Sequence, residues 1–214
     1  MKKTLIAAAL MVCAGSAFAD PTAVLQVQGK LTNAACTPEL SNGGEVDYGY
    51  IHLSTLSATA INQIGEKSID LTINCTVATK VAVTANDNRV DSNAKLKVGG
   101  IGDAYYQFGV GKTDADVNIG DYSLLAKSGT VVDGATAQII ARNSSAESWR
   151  AATGLRSDGY TSMTVANVGS IEPLAFTTAT IPLTTTLAIQ ATDTLAITDD
   201  TNIDGQATLT LQYL

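Results

Sequence analysis

The sequence predicts an all-β protein folded as a β-sandwich, and three observations predict it. Apolar and polar residues alternate with period two in short runs along most of the chain. Clusters of Gly, Asn and Asp break those runs at short intervals. Few stretches show the spacing of an amphipathic helix. With 45% hydrophobic and 15% charged residues over 214 positions, the composition suits one domain and shows no sign of disorder.

Residues 1–19 stand apart from that pattern. Lys2 and Lys3 precede an apolar run over 5–13, and the small residues Ala17 and Ala19 flank Phe18. This is the layout of a secretory signal peptide cleaved after Ala19. The run is too short to span a bilayer, and Cys13 lacks the setting of a lipoprotein cleavage site. The expected mature chain is exported through the inner membrane. Without Lys2 and Lys3 the 13 basic residues become 11 against 20 acidic, a formal net charge of −9. Such a surface repels nucleic acid and needs no membrane.

The first strand candidate ends at Cys36, with Ala23, Leu25, Val27, Gly29 and Leu31 on one face and Gln26, Gln28 and Lys30 on the other. Cleavage leaves two cysteines, Cys36 and Cys75, and an exported chain with two is expected to bridge them. Closing a loop of that length stabilises by about 4 kcal/mol on a chain-entropy estimate. A turn-rich link containing Pro38, Asn42, Gly43 and Gly44 follows, then a short strand over 46–53. Over 68–76, Ile69, Leu71, Ile73 and Cys75 share one face, so Cys75 can meet Cys36. Further strands are expected at 80–85, 105–110, 122–127 and 137–142. Residues 144–159 do not alternate and read as a loop or one helical turn. There Trp149 and Arg150 are the candidate ligand-binding pair, against the commoner use of such a Trp to anchor its own loop. Strands are expected again at 161–166, 174–178, 185–190, 194–198 and 206–214. In the last, Ala207, Leu209, Leu211 and Tyr213 alternate with Thr208, Thr210 and Gln212, and a terminal strand of this kind leaves little chain to cap its edge.

Residues that carry chemistry are sparse. His52 is the one histidine, so Ser-His-Asp or Cys-His catalysis would have to centre on it, and two cysteines with one histidine make no zinc site. Asp200, Asn202, Asp204 and Gly205 match the start of a calcium loop, but the twelfth position, where an acid is needed, is Leu211, and a solvated turn is the reading adopted. No enzymatic activity, cofactor or metal is expected.

The segment GKLTNAAC at 29–36, the signal peptide, the partner cysteine some forty residues on and the terminal strand with penultimate Tyr213 together resemble mature subunits of chaperone–usher pili. The resemblance implies an immunoglobulin-like, pilin-type sandwich that is incomplete and is completed by a donor strand from another subunit. It divides the chain into a signal peptide (1–19), an N-terminal donor-strand extension (20–33) and a pilin-like domain (34–214). Ala23, Leu25, Val27, Gly29 and Leu31 would be the inserted residues, and Leu209, Leu211 and Tyr213 would face the periplasmic chaperone and the outer-membrane usher. CTPELSNGG with VDYG, INCT, EPLAFTTATIPL and DGQATLTLQYL look like a narrower fimbrial-related family of enterobacterial exported proteins, with 99–159 matching only loosely. The glycine near the last strand falls at Gly205, nearer the terminus than is usual. The implied role is a fimbrial subunit, or fimbria-associated protein, at the cell surface, assembling with other subunits and contributing to adhesion or biofilm formation. The alternative is a self-complete periplasmic or surface module that binds a glycan or protein partner, with Trp149 and Arg150 as its contact.

Overall fold

The computed structural model describes residues 35–214. In chain order they form β1 (Cys36–Leu40), β2 (Asn62–Thr79), β3 (Val81–Asp87), β4 (Phe108–Gly109), β5 (Gly120–Ala126), β6 (Val131–Val132), β7 (Ala135–Arg142), β8 (Arg150–Ala151), β9 (Ser162–Asn167), β10 (Phe176–Ile189), the single helical turn α1 (Thr192–Leu195) and β11 (Ala207–Tyr213). Every strand pairing is antiparallel. The all-β expectation holds.

Two sheets make the sandwich. One runs β1-β2-β10-β5-β4, the other β11-β3-β9-β7-β8, and the two-residue β6 pairs with both β10 and β7, so the hydrogen-bonded path passes from one sheet to the other. The ends of the main path are β1 and β11. Alternation decides what lies between the sheets: Ile69, Leu71 and Ile73 of β2 and Ala179, Ile181 and Leu183 of β10 meet Val81, Val83 and Ala85 of β3 and Met163 and Val165 of β9. The later half of β10 is buried on both faces because residues 94–98 cover its outer side, with Leu96 and Val98 packed on Ala188.

Cys36 and Cys75 are bonded, and they are directly opposed partners in the β1–β2 register with Cα atoms 4.0 Å apart. The first strand in the described residues therefore starts at Cys36 and continues through Thr37, Pro38 and Glu39, where the sequence predicts a turn-rich link. Pro38 is tolerated because β1 is an edge strand. The expected strands at 68–76, 80–85, 122–127, 137–142, 161–166 and 206–214 are all present within a few residues.

Four expectations are corrected. Residues 46–53 form no strand: Val46 and Tyr48 do alternate with Glu45 and Asp47, but no backbone hydrogen bond joins 46–51 to another described segment, and Gly49 turns the chain at φ +67°. The run 105–110 gives only Phe108–Gly109, after a 3-10 turn at Ala104–Tyr106. The run 194–198 is not a strand either; Ala191 through Leu195 make one helical turn, held by Thr192 and Asp193 amides donating to Ser57 and Ala58 carbonyls, and Leu195 is buried. The two strands expected at 174–178 and 185–190 are one, β10. Pro182 does not break it because on that side β10 passes from β6, opposite Ala179 and Thr180, to β5, which starts at Leu183. No ladder bond is demanded of the proline there.

Candidate functional site

A strand at the edge of a sheet exposes a row of unused N–H and C=O groups, and native folds normally blunt or cover it. Here β11 pairs with β3 on one side, and among the described residues nothing pairs with its other side. Facing it across the sandwich is the chain from Leu40 to Ile51, whose later half is also unpaired. Between these two edges lies a groove.

Its first part encloses about 440 Å³ and is walled by Leu209 and Ala207 of β11 and by Leu40, Val46 and Tyr48 opposite. Ile69, Leu124, Leu183 and Leu187, all themselves buried, lie along the floor, so the groove runs against the sandwich core. A second part of about 740 Å³ continues past Val46, Tyr48 and Ile203 to Ile51, Ile119, Leu195 and Ile197. Tyr48 is fixed in the wall by its hydroxyl, which donates to the Thr185 carbonyl at 2.9 Å, and burial pushes that hydroxyl's pKa up. Tyr122, stacked on Phe108 with centroids 5.0 Å apart, divides the floor, and its buried hydroxyl is likewise raised. Gly205 lies against it: a Cβ there would come within 3.0 Å of the Tyr122 ring, so any side chain would intrude on the floor.

Each end of the groove is tied down. At one end the Cys36 amide donates to the Tyr213 hydroxyl at 3.0 Å, joining the last residues of β11 to the disulfide. At the other, Arg89 donates through Nε and Nη2 to Asp204, whose own amide donates to the Val110 carbonyl at 2.8 Å. Asp204 is thus engaged in an ion pair, and among the described residues no group of three or more His, Cys, Asp or Glu is placed to hold a metal. Below the floor, Asp121 is fully buried and accepts from the Ala94 and Leu96 amides at 2.8 and 2.7 Å. Burial pushes its pKa up to about 6, opposed by those two bonds, with the nearby Asp87 adding to the rise.

The predicted residues divide accordingly. Leu209 lines the groove, Leu211 packs half-buried against the core from the same strand, and Tyr213 is more exposed, with its hydroxyl on Cys36. Ala23, Leu25, Val27, Gly29 and Leu31, like the signal peptide and the extension, lie outside the described residues. Trp149 is half-buried beneath the Arg142 guanidinium, 4.5 Å from its ring centroid, and Arg150 lies on β8, 3.8 Å from Glu147. These contacts tie the loop to its own sheet, and neither residue borders the groove. Sequence reasoning missed the opposite wall, Val46 and Tyr48. Its signal in the sequence is the alternation over 46–53, which by itself predicts an ordinary strand.

The geometry defines a disulfide-bonded antiparallel β-sandwich with an apolar groove open between its two edges. The chain is 32% identical to the "Uncharacterized protein YhcF" of Escherichia coli K12 over 238 positions, covering 95% of this chain and 98% of that protein. It is also 32% identical to "Protein GltF" of the same organism over 243 positions, covering 98% and 96%. The chain belongs to the family of YhcF and GltF. Residues 25–123 match the family model described as "Protein of unknown function (DUF1120)". Among solved structures it is similar to the P pilus rod subunit PapA, with TM-score 0.41 and 12% identity over 84% of this chain and 99% of that one. It is also similar to a chain of a chaperone–usher pilus, with TM-score 0.37 and 14% identity over 91% and 96%. The fold described above stands on its own strand pairing. Among the described residues no helix is long and apolar enough to cross a membrane.

Proposed function

We propose that this protein is an exported fimbrial-type subunit assembled by the chaperone–usher route, which receives an extended strand in its groove and gives residues 20–33 to a neighbour. One observation carries the reading: among the described residues the groove has unpaired backbone on both walls, and buried core side chains lie along its floor. An extended strand alone satisfies all three surfaces at once, giving hydrogen bonds to β11 and alternate side chains to the floor. The segment 20–33 has the matching form, with Ala23, Leu25, Val27, Gly29 and Leu31 on one face.

Magnitudes favour a decisive role for that strand. Burying Leu25, Val27 and Leu31 contributes roughly 5–8 kcal/mol before ordering costs, comparable with a whole domain's net stability of about 5–15 kcal/mol. Until a neighbour supplies it, the periplasmic chaperone would cover the groove by way of Leu209, Leu211 and Tyr213, and the usher would then exchange one strand for the other. Adhesion or biofilm formation at the cell surface would follow from the assembled fibre.

The test compares the mature chain, purified alone, with the same chain lacking 20–32. The full chain is expected to form heat-stable concatemers, and the shortened one to remain monomeric with a depressed melting temperature. Two equally stable monomers would overturn the reading.

A further inference from the structure

Two segments that do not border the groove come together on the surface, 103–106 and 154–160. Backbone bonds hold them there. The Ser157 amide donates to the Tyr105 carbonyl at 2.8 Å, the Leu155 amide donates to Leu124 of β5, and Ser157 and Gly159 are bonded to Asp87 and Ala85 of β3. Tyr106 packs against Gly154, where a Cβ would come within 3.0 Å of its ring. The two segments are thus anchored without help from Tyr105 or Tyr160.

Those two tyrosines remain 57% and 49% exposed. The Arg156 guanidinium lies over both rings, 4.1 Å from the Tyr105 centroid and 4.8 Å from that of Tyr160. Asp158 fixes the guanidinium in turn, accepting from its Nε and Nη2 and also from the Tyr160 amide. Both rings are therefore held in place around one cation before any ligand arrives, which lowers the ordering cost of binding to them. Aromatic rings carry the largest contact area of any side chain, yet here about half of each residue is left in water. Beside them, Asp103 accepts the Tyr105 amide through Oδ1 at 3.0 Å, and among the described residues its Oδ2 has no hydrogen bond.

The exposed residues of the two segments are Asp103, Tyr105, Asp158 and Tyr160, and that mixture decides the class of ligand. An apolar protein face would find no exposed aliphatic side chain in either segment to pack on. A second cation would meet rings that already face a guanidinium. An anion would meet two carboxylates against one guanidinium, on a chain of net charge −9 once Lys2 and Lys3 are lost. A neutral sugar ring suits all of these groups: its C–H face lies against the electron-rich face of a tyrosine, and its hydroxyls donate to the Asp103 carboxylate or pair with the phenols.

We propose that Tyr105 and Tyr160, held by Arg156 and Asp158, form a binding site for a neutral saccharide. The site shares no residue with the groove, so it does not depend on strand exchange and serves a single chain and an assembly alike. Trp149 has no part in it.

The experiment titrates the purified mature chain with lactose, maltotriose and chitotriose as neutral probes and with sialyllactose as an anionic one, followed by NMR. At least one neutral probe should bind, shifting ring resonances of Tyr105 and Tyr160 in the wild-type chain and leaving the Trp149 indole unmoved. Tyr105→Ala and Tyr160→Ala should each weaken that binding about tenfold, whereas Tyr105→Phe and Tyr160→Phe, which keep the rings, should stay within about threefold of wild type. Trp149→Ala should bind as wild type does. Failure of every neutral probe to bind, shifts confined to groove residues or to Trp149, or sialyllactose binding as tightly as lactose would each overturn the site. Because the shifts are read on the unsubstituted chain, the result holds even if an alanine variant melts early.

Discussion

Asp121 is the residue whose chemistry is least like its surroundings. It is a wholly buried carboxylate with no ion-pair partner among the described residues, and its two oxygens hold the Ala94 and Leu96 amides, which pins the segment that covers the outer face of β10. Asp121→Asn supplies one acceptor where two donors point, so it should lower stability by about 1–3 kcal/mol, read as a shift in urea midpoint. Its pH dependence has a definite sign. The folded pKa is about 6, against about 3.9 unfolded, so between those values the folded chain holds a proton that the unfolded chain has released. Stability from this group is therefore full below about pH 4 and is lost as the pH rises through about 6. Asp87, raised mainly by burial, acts in the same direction in both proteins. The margin of wild type over Asp121→Asn should narrow from pH 4.5 to pH 7, and a margin that widens would show the carboxylate to be favoured in its charged form.

At the scale of elements, β1 is the most dependent on covalent help. It is five residues long, contains Pro38, pairs on one side only and leaves Thr37, Pro38 and Glu39 exposed. The Cys36–Cys75 bond holds it in register at its first residue. Replacing both cysteines by Ala should lower stability by about 2–5 kcal/mol and, because Leu40 packs on the core and walls the groove, should loosen that wall as well. Urea unfolding of the double variant measures the first effect, and an unchanged midpoint would contradict it. The same elements show what the sequence discloses. The core strands were legible because Ile69, Leu71 and Ile73, or Val81, Val83 and Ala85, alternate against a buried neighbour on each side. The groove was not, because alternation at Val46 and Tyr48 states which way side chains point and says nothing of whether a partner strand lies alongside. Likewise Leu195 and Ile197 have strand spacing, but backbone contacts from Ser57 and Ala58 turn them into a helical end. Pairing is a property of distant segments, and β10 found room for Pro182 only through the way β5 and β6 divide its flank.

Across the whole molecule, stability is distributed unevenly, and that distribution is itself a test of what the groove is for. The centre is closed: β2 and β10 pair over thirteen positions, β3 is sandwiched between β9 and β11, and their inward side chains are buried. The rim is open: among the described residues the amides of 46–51 have no backbone partner, and β11 pairs with β3 alone. Hydrogen exchange follows local opening, so the central amides of β2, β10 and β3 should exchange only with global unfolding in the isolated chain, whereas 46–51 should exchange within about tenfold of an unstructured peptide. Addition of a strand would change the rim and leave the centre alone, since it supplies partners to β11 and packs over a floor whose Leu124, Leu183 and Leu187 are already buried. Assembled material should therefore show strong new protection over 207–213 and 46–51, together with a rise in the global opening energy read at β2 and β10. Protection already complete in the monomer, or a rim left unprotected in the assembly, would mean that the two edges are held by something other than an incoming strand.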